Sequence, residues 1–224
     1  MSLAQSAATI LAKELKTEFR SRELLGTTVI FVLIVLVLFS FTFNPTSSQS
    51  RHFGPGLLWL AFLFAGSLML QPSFLREQTN DTLAALRLAP IDPFSILAGK
   101  MAANFLFLLL VELILLPVFA VLYNVAILPV LPQLVLVLAL GTIGLATTGT
   151  VFSAVAAQAR LRELLLPLLL LPVLAPVLIA STEATAGILR DPSEISVVWL
   201  TFLCAFDVVF LTAAWLFGEY LLEE

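Results

Sequence analysis

The chain is poor in the residues that most catalytic and metal centres use. It has a single cysteine, Cys204, and a single histidine, His52. One cysteine excludes an internal disulfide framework, and one histidine excludes a paired-histidine metal motif. There is no glycine-rich phosphate loop, so any work driven by a nucleotide requires a second chain. Charge is scarce as well: 12% of residues are charged, against about a quarter in an average soluble domain. The net charge is only −4 and no basic tract is present, so no nucleic-acid partner is implied.

What fills the chain instead is apolar sequence. Hydrophobic residues make up 60% of it and its mean hydropathy is +1.08, a composition that belongs in a bilayer. Six apolar runs, at 24–43, 57–75, 93–122, 130–155, 164–181 and 197–216, are each read as a membrane helix. The third is long enough to tilt or to extend beyond the hydrocarbon. The first begins at Leu24 and can span, which does not fit a cleavable signal. Cys204, inside the sixth run, is expected to be a small buried apolar residue. The fold class is therefore all-α: one polytopic transmembrane domain over 1–224 with six transmembrane helices, preceded by an interfacial helix over 1–23.

In that first helix Ala8, Leu11, Leu15 and Phe19 share one side, and Lys13, Lys16 and Arg20 lie roughly opposite. This is the layout of a helix lying at the lipid boundary. Glu14 and Glu18 intrude at the edge of the apolar side; a plain solvated helix is the alternative. Lysine and arginine set the orientation. Nine of them fall in the N-terminal segment, in 71–100 and in 156–163, and two, Arg51 and Arg190, in the alternate connections. That bias predicts cytoplasmic N- and C-termini and a cytoplasmic 71–100 loop.

The 71–100 stretch, QPSFLREQTNDTLAALRLAPIDPFSILAGK, is the longest charged insert between spans. Asn80 or Asp81 is placed to cap a short helix carrying Leu83 and Leu86, and Pro90 ends it. Asp92 followed by Pro93 is a cap and first-turn pair for the next helix. Such an element suits a soluble partner's grip; an ordered turn joining two spans is the plainer reading. In the fourth span Thr142, Ala146, Thr150 and Ala154 form a small-residue ridge, packing within one subunit or between two. Pro167, Pro172 and Pro176 predict a kinked or broken fifth helix. Of the outer connections, 44–56 is expected to end in a Gly54-Pro55-Gly56 turn. The other, 182–196, is read as an acidic loop whose 187–189 patch dips toward lipid.

Two acids, Glu112 and Asp207, fall within spans with no cation at comparable depth. Each must face protein or water, and both are expected to be neutral ties between helices. On that view Asp207→Asn is mild and Asp207→Leu leaves a partner unpaired. A polar pathway or substrate contact is the functional alternative. His52 is a possible haem ligand, though a solvated loop histidine is the simpler view.

The run HFGPGLLWLAFLFAGSLMLQPSFLREQTNDTLAALRLAPIDPFSILAGKMAANFL resembles the CcmB family, membrane permease subunits of the ATP-binding-cassette complex of bacterial cytochrome c maturation. The likeness rests on Pro55-Gly56 with Trp59, on the loop with Thr82-Leu83 and Leu86, on Pro90, and on Gly99-Lys100. A second block, LPLLLLPVLAPVLIAS, resembles the family's fifth span through Pro172 and Pro176. The chain departs from the family at Gln71, where a glutamate is usual. It departs again at Asn80-Asp81-Thr82-Leu83-Ala84, where the family tends to have Asp-Gly-Ser/Thr-Leu-Glu, and at Arg162-Glu163, where paired glycines are common.

The resemblance implies a type-2 ABC exporter permease in the bacterial inner membrane. It implies an ATPase of the CcmA type docked on the 71–100 loop through Asp81, Thr82, Leu83, Leu86 and Arg87, with ATP bound on that partner. It further implies CcmC- and CcmD-type membrane subunits and the release of a haem-loaded CcmE-type chaperone; older descriptions call the complex a haem exporter. No directly bound cofactor is expected, with haem as possible cargo. Six spans are half of an alternating-access exporter, so a homodimer is expected. The competing readings are the permease of another small type-2 exporter, a passive membrane scaffold, and a membrane enzyme using Glu112 and Asp207 as an acid pair.

Overall fold

The computed structural model describes residues 2–42, 48–79, 91–157, 162–190 and 196–223, and helix is the only regular structure longer than one turn among them. The elements are α1 (Leu3–Ser21), α2 (Glu23–Thr42), α3 (Ser48–Leu70), α4 (Pro72–Thr79), α5 (Pro93–Leu122), a 3-10 turn (Leu128–Val130), α6 (Leu131–Ala157), α7 (Arg162–Arg190) and α8 (Val197–Glu223). Six stretches are long and apolar enough to cross a bilayer, and the chain is a multi-pass membrane protein.

Local signals explain several boundaries. Ser2 caps α1 reciprocally with Gln5, the Gln5 N–H donating to Ser2 Oγ at 3.3 Å and the Ser2 N–H to Gln5 Oε1 at 3.2 Å. Arg22 then turns the chain in the left-handed region (φ 55), its N–H donating to the Glu18 carbonyl, and α2 starts at once. Asp92 and Pro93 open α5 as the sequence indicates, with the Phe94 N–H donating to Asp92 Oδ1 at 2.8 Å.

At the centre stands α6, against which α3, α4, α5, α7 and α8 all pack. Its glycines allow this. A Cβ on Gly141 would lie 2.2 Å from the Trp59 ring, and one on Gly149 2.2 Å from Leu70, far inside van der Waals contact. The ridge of Thr142, Ala146, Thr150 and Ala154 is buried within the subunit. It is an intramolecular seam.

Four expectations need correction. The 44–56 stretch does not end in a turn: α3 already runs from Ser48, and Gly54-Pro55-Gly56 lies inside it. The flanking glycines relieve crowding around the proline ring, and Gly54 lies against Phe119 of α5. Nor is 182–196 mainly loop, because α7 continues to Arg190 with Ala184, Thr185, Ala186 and Ile188 buried. Three prolines do not break α7. Pro172 and Pro176 lie on its exposed face beside Leu168, Leu171 and Ile179, and the helix is continuous from Arg162 to Arg190, so of the kinked and broken forms expected the broken one is excluded. Cys204, finally, is exposed. The buried stripe of α8 is Leu203, Asp207, Ala214 and Gly218, and Cys204 falls beside it.

Candidate functional site

The buried face of α1 is not the side that its leucines suggest. Ala8 and Phe19 are exposed and Leu11 and Leu15 half-buried, while Ser6, Ile10, Glu14 and Glu18, four apart, turn toward the bundle. Gly99 makes that approach possible: a Cβ there would lie 2.7 Å from both the Ala7 carbonyl oxygen and Ile10 Cβ. The backbone of α1 therefore rests directly on the opening turns of α5.

One residue further along α5, Lys100 is 1% exposed. A buried ammonium requires partners on all sides, and it has them. Its Nζ lies 2.8 Å from Glu14 Oε1 and 3.1 Å from Glu77 Oε2. It donates to the Ser73 carbonyl at 2.5 Å and sits 4.8 Å from the centre of the Phe74 ring. Lys13 pairs with Glu77 from the rim and with Glu14 at 3.2 Å. Arg76 pairs with Glu18 at 3.2 Å, and Glu18 Oε1 accepts from the Leu25 N–H at 2.9 Å, tying in the start of α2. Three cations thus meet three carboxylates contributed by α1, α4 and α5.

The electrostatics follow. Burial alone would raise Glu14, but the Lys100 and Lys13 ammoniums outweigh it and hold the carboxyl below its ordinary value. Burial alone would lower Lys13; its hydrogen bond to Glu77 and the charges of Glu14 and Glu77 outweigh that and raise it. Below the ions a neutral layer continues inward. Asn104 Nδ2 donates to Ser73 Oγ at 3.2 Å and to Thr150 Oγ1 at 2.9 Å, and Ser153 donates to the Leu70 carbonyl at 2.8 Å. The start of α4 is thereby stitched to α5, and α5 and the end of α3 are stitched to α6.

The loop residues Asp81, Thr82, Leu83, Leu86 and Arg87 lie outside the described residues. The cluster takes Ser73, Arg76 and Glu77 from before them and Lys100 from after them, together with Lys13, Glu14 and Glu18 of α1. Sequence reading missed it by treating Glu14 and Glu18 as blemishes on a lipid-facing helix. Their four-residue spacing from Ile10 was the available signal.

Elsewhere the structure separates the singled-out residues. Trp59 is fully buried and its indole N–H donates to Thr185 Oγ1 at 2.9 Å, joining α3 to the extended end of α7. Pro55 is buried near the same end, and Gly56 approaches Thr182. Glu112 faces α6: its Oε1 is 2.6 Å from the Thr142 hydroxyl, which also reaches the Leu138 carbonyl at 2.7 Å. One hydroxyl proton serves one acceptor, so both contacts are met when Glu112 supplies a proton of its own. Asp207 is buried between α6, α7 and α8, and neither oxygen has a hydrogen-bond partner. Among the described residues no three His, Cys, Asp or Glu side chains assemble into a metal-holding group.

Comparison with known proteins agrees with this architecture. The family model described as CcmB protein matches residues 5–217. Heme exporter protein B of Pseudomonas aeruginosa is 33% identical over 199 residues, covering 88% of each chain. The protein of the same name from Paracoccus denitrificans is 33% identical over 175 residues, 78% of this chain and 80% of the relative. That of Rhodobacter capsulatus is 32% identical over 174 residues, 78% and 79% respectively. The match takes in α1, the ion cluster and all six spans, and the chain belongs to the CcmB protein family.

Proposed function

We propose that this chain is the permease subunit of a haem-export complex of cytochrome c maturation, in the bacterial inner membrane with both termini cytoplasmic. It couples ATP hydrolysis on a separate CcmA-type ATPase to haem export, or to release of a haem-loaded CcmE-type chaperone, alongside CcmC- and CcmD-type membrane subunits. The chain itself performs no catalysis. In this reading the ATPase docks on the 71–100 loop through Asp81, Thr82, Leu83, Leu86 and Arg87, and two permease copies face two ATPases.

One observation carries the reading: Glu77 and Lys100, which bracket the docking residues 81–87 within that loop, are bonded to each other and to α1. Force applied to the loop enters α1, α4 and α5 together, because moving any one alone would strand a buried charge. A passive anchor has no need of such a joint.

The test is co-purification. Changing Leu83 and Leu86 together to aspartate should abolish recovery of the ATPase while membrane insertion stays normal. Retained ATPase would overturn the docking assignment. ATPase activity that ignores the loop variant within an intact complex would favour the scaffold reading instead.

A further inference from the structure

Asp207 differs from every other described acid in the protein. It is 5% exposed, and both carboxyl oxygens are without a hydrogen-bond partner. Its surroundings are backbone and hydrocarbon: a Cβ on Gly144 of α6 would lie 3.0 Å from Asp207 Oδ1 and 3.4 Å from Val177 of α7. One turn away along α6, a Cβ on Gly141 would lie 2.8 Å from Ser181 Oγ. Ser181 Oγ is also buried without a partner, as is Thr148 Oγ1, four residues beyond Gly144. Polar atoms from three helices are therefore left open along one glycine-lined seam.

Among the described residues no fixed charge answers Asp207. Of the helices packed against α8, α6 carries no titratable residue at all. On α7 the span contains none between Pro167 and Glu183, and Glu183 is exposed near the far end. On α5 Lys100 is held by Glu14 and Glu77, and Glu112 by Thr142. On α8 itself, among the described side chains, Cys204 is one turn away and exposed, and Tyr220 stands more than three turns away and is exposed.

We propose that the α6–α7–α8 seam is an exchangeable proton-binding site centred on the Asp207 carboxylate. The ligand is a proton: the carboxylate takes one up to become a carboxylic acid, and no other bond changes. With the proton bound, the neutral acid fits against Gly144 and Val177. With the proton lost, an ionised oxygen faces a backbone that offers it no donor, and α8 must shift to admit water. Proton occupancy and the closure of α8 on α6 are thus linked.

Dicyclohexylcarbodiimide tests this on the whole protein in membranes. A protonated carboxyl adds to this lipid-soluble carbodiimide, its proton passing to one nitrogen and its oxygen bonding the central carbon, and acyl migration to nitrogen leaves a stable N-acylurea; Val208 and Val209 beside Asp207 are exposed on the surface of α8. Peptide mass spectrometry should find the adduct at Asp207, several-fold more than at Glu112, whose carboxyl is engaged with Thr142. The yield at Asp207 should fall as the buffer is moved from mildly acidic to alkaline, and Asp207→Asn should abolish it. Absence of the adduct from folded protein, equal labelling of Glu112, or a yield unchanged across that range would overturn the proposal. None of these outcomes bears on ATPase docking, which the loop variants test separately.

Discussion

Two of the places where this membrane protein holds buried charge-bearing side chains treat them in opposite ways. At the end where α1, α4 and α5 meet, Lys100 is as buried as any leucine, yet carboxylates from two other helices, a backbone carbonyl and an aromatic face surround it. In the seam of α6, α7 and α8, Asp207 is nearly as buried and has nothing to bond. Satisfied charge fixes one arrangement, since separating the partners strands an ion at a cost of several kcal/mol. Unsatisfied polarity does the reverse and leaves a second arrangement within reach. The first region suits a joint that transmits force and the second a seam that moves.

The comparison is broken most severely at Lys100. Lys100→Met should leave the buried Glu14 and Glu77 with only the rim ammonium of Lys13 and cost about 3–5 kcal/mol, read as a lowered denaturation midpoint and earlier proteolysis of α1. Adding Glu14→Gln and Glu77→Gln should recover most of that loss, because the penalty comes from the unpaired charges. A loss below about 1 kcal/mol in the single variant would mean that the cluster holds nothing together.

Gly99→Ala comes next. The added methyl would meet the Ala7 carbonyl and Ile10 at 2.7 Å, so α1 must lift from α5 at about 1–3 kcal/mol. Lys100 should then become accessible to amine-modifying reagents. Comparable in size is Thr142→Val, which removes the partner of Glu112 Oε1 and should cost about 1–3 kcal/mol, measured as the shift in denaturation midpoint. Glu112 is thus bonded through Oε1 while its Oε2 has no partner, whereas Asp207 is bonded through neither oxygen.

How much of this was legible beforehand follows from the kind of signal each residue carried. The spans were readable because the bilayer demands long apolar runs, and the start of α5 because Asp92 and Pro93 are a local cap. The ends of α3 and α7 were not. Ser48 to Gly56 and Thr182 to Arg190 look like loop by composition, and it is packing of Trp59 against Thr185 and of Gly54 against Phe119 that keeps them helical. The ion cluster joins residues 13–18, 73–77 and 100, a long-range pairing no local pattern encodes. Only the placement of Glu14 and Glu18 on the Ile10 stripe hinted at it. The partnerless state of Asp207 was unreadable, since it depends on what three separate helices fail to offer.

A gentler probe of the joint is pH. Glu14 is held below its ordinary value by Lys100 and Lys13, so it stabilises the attachment of α1 above the usual carboxylate range and loses that contribution as pH falls through its lowered value. Lys13 is raised, so its contribution is complete below the ordinary lysine value and is lost only as pH climbs past the raised one. Protection of α1 from proteolysis should therefore be flat through neutrality and decline in acid. In Glu14→Gln the acid-side decline should weaken. A decline centred near neutrality would place the controlling group elsewhere.

The smallest effect on folding is expected at Asp207, and it reverses the expectation from sequence. Read as a tie between helices, Asp207 would leave a partner unpaired when replaced by leucine. In the structure there is no partner to strand, and the carboxyl itself is the unsatisfied group. Removing both halves of a buried polar interaction can be neutral or stabilising, and here one half is already missing. Valine is the better probe than leucine, because Gly144 lies close and a longer side chain would crowd the seam. Asp207→Val should thus fold within about 1 kcal/mol of the parent, on either side, with tryptophan fluorescence reporting the transition. Its effect should appear in function: ATP-dependent release of the haem-loaded chaperone should fall while ATPase docking persists. A strongly destabilised Asp207→Val protein would show that Asp207 ties helices together after all, and would erase the contrast with Lys100.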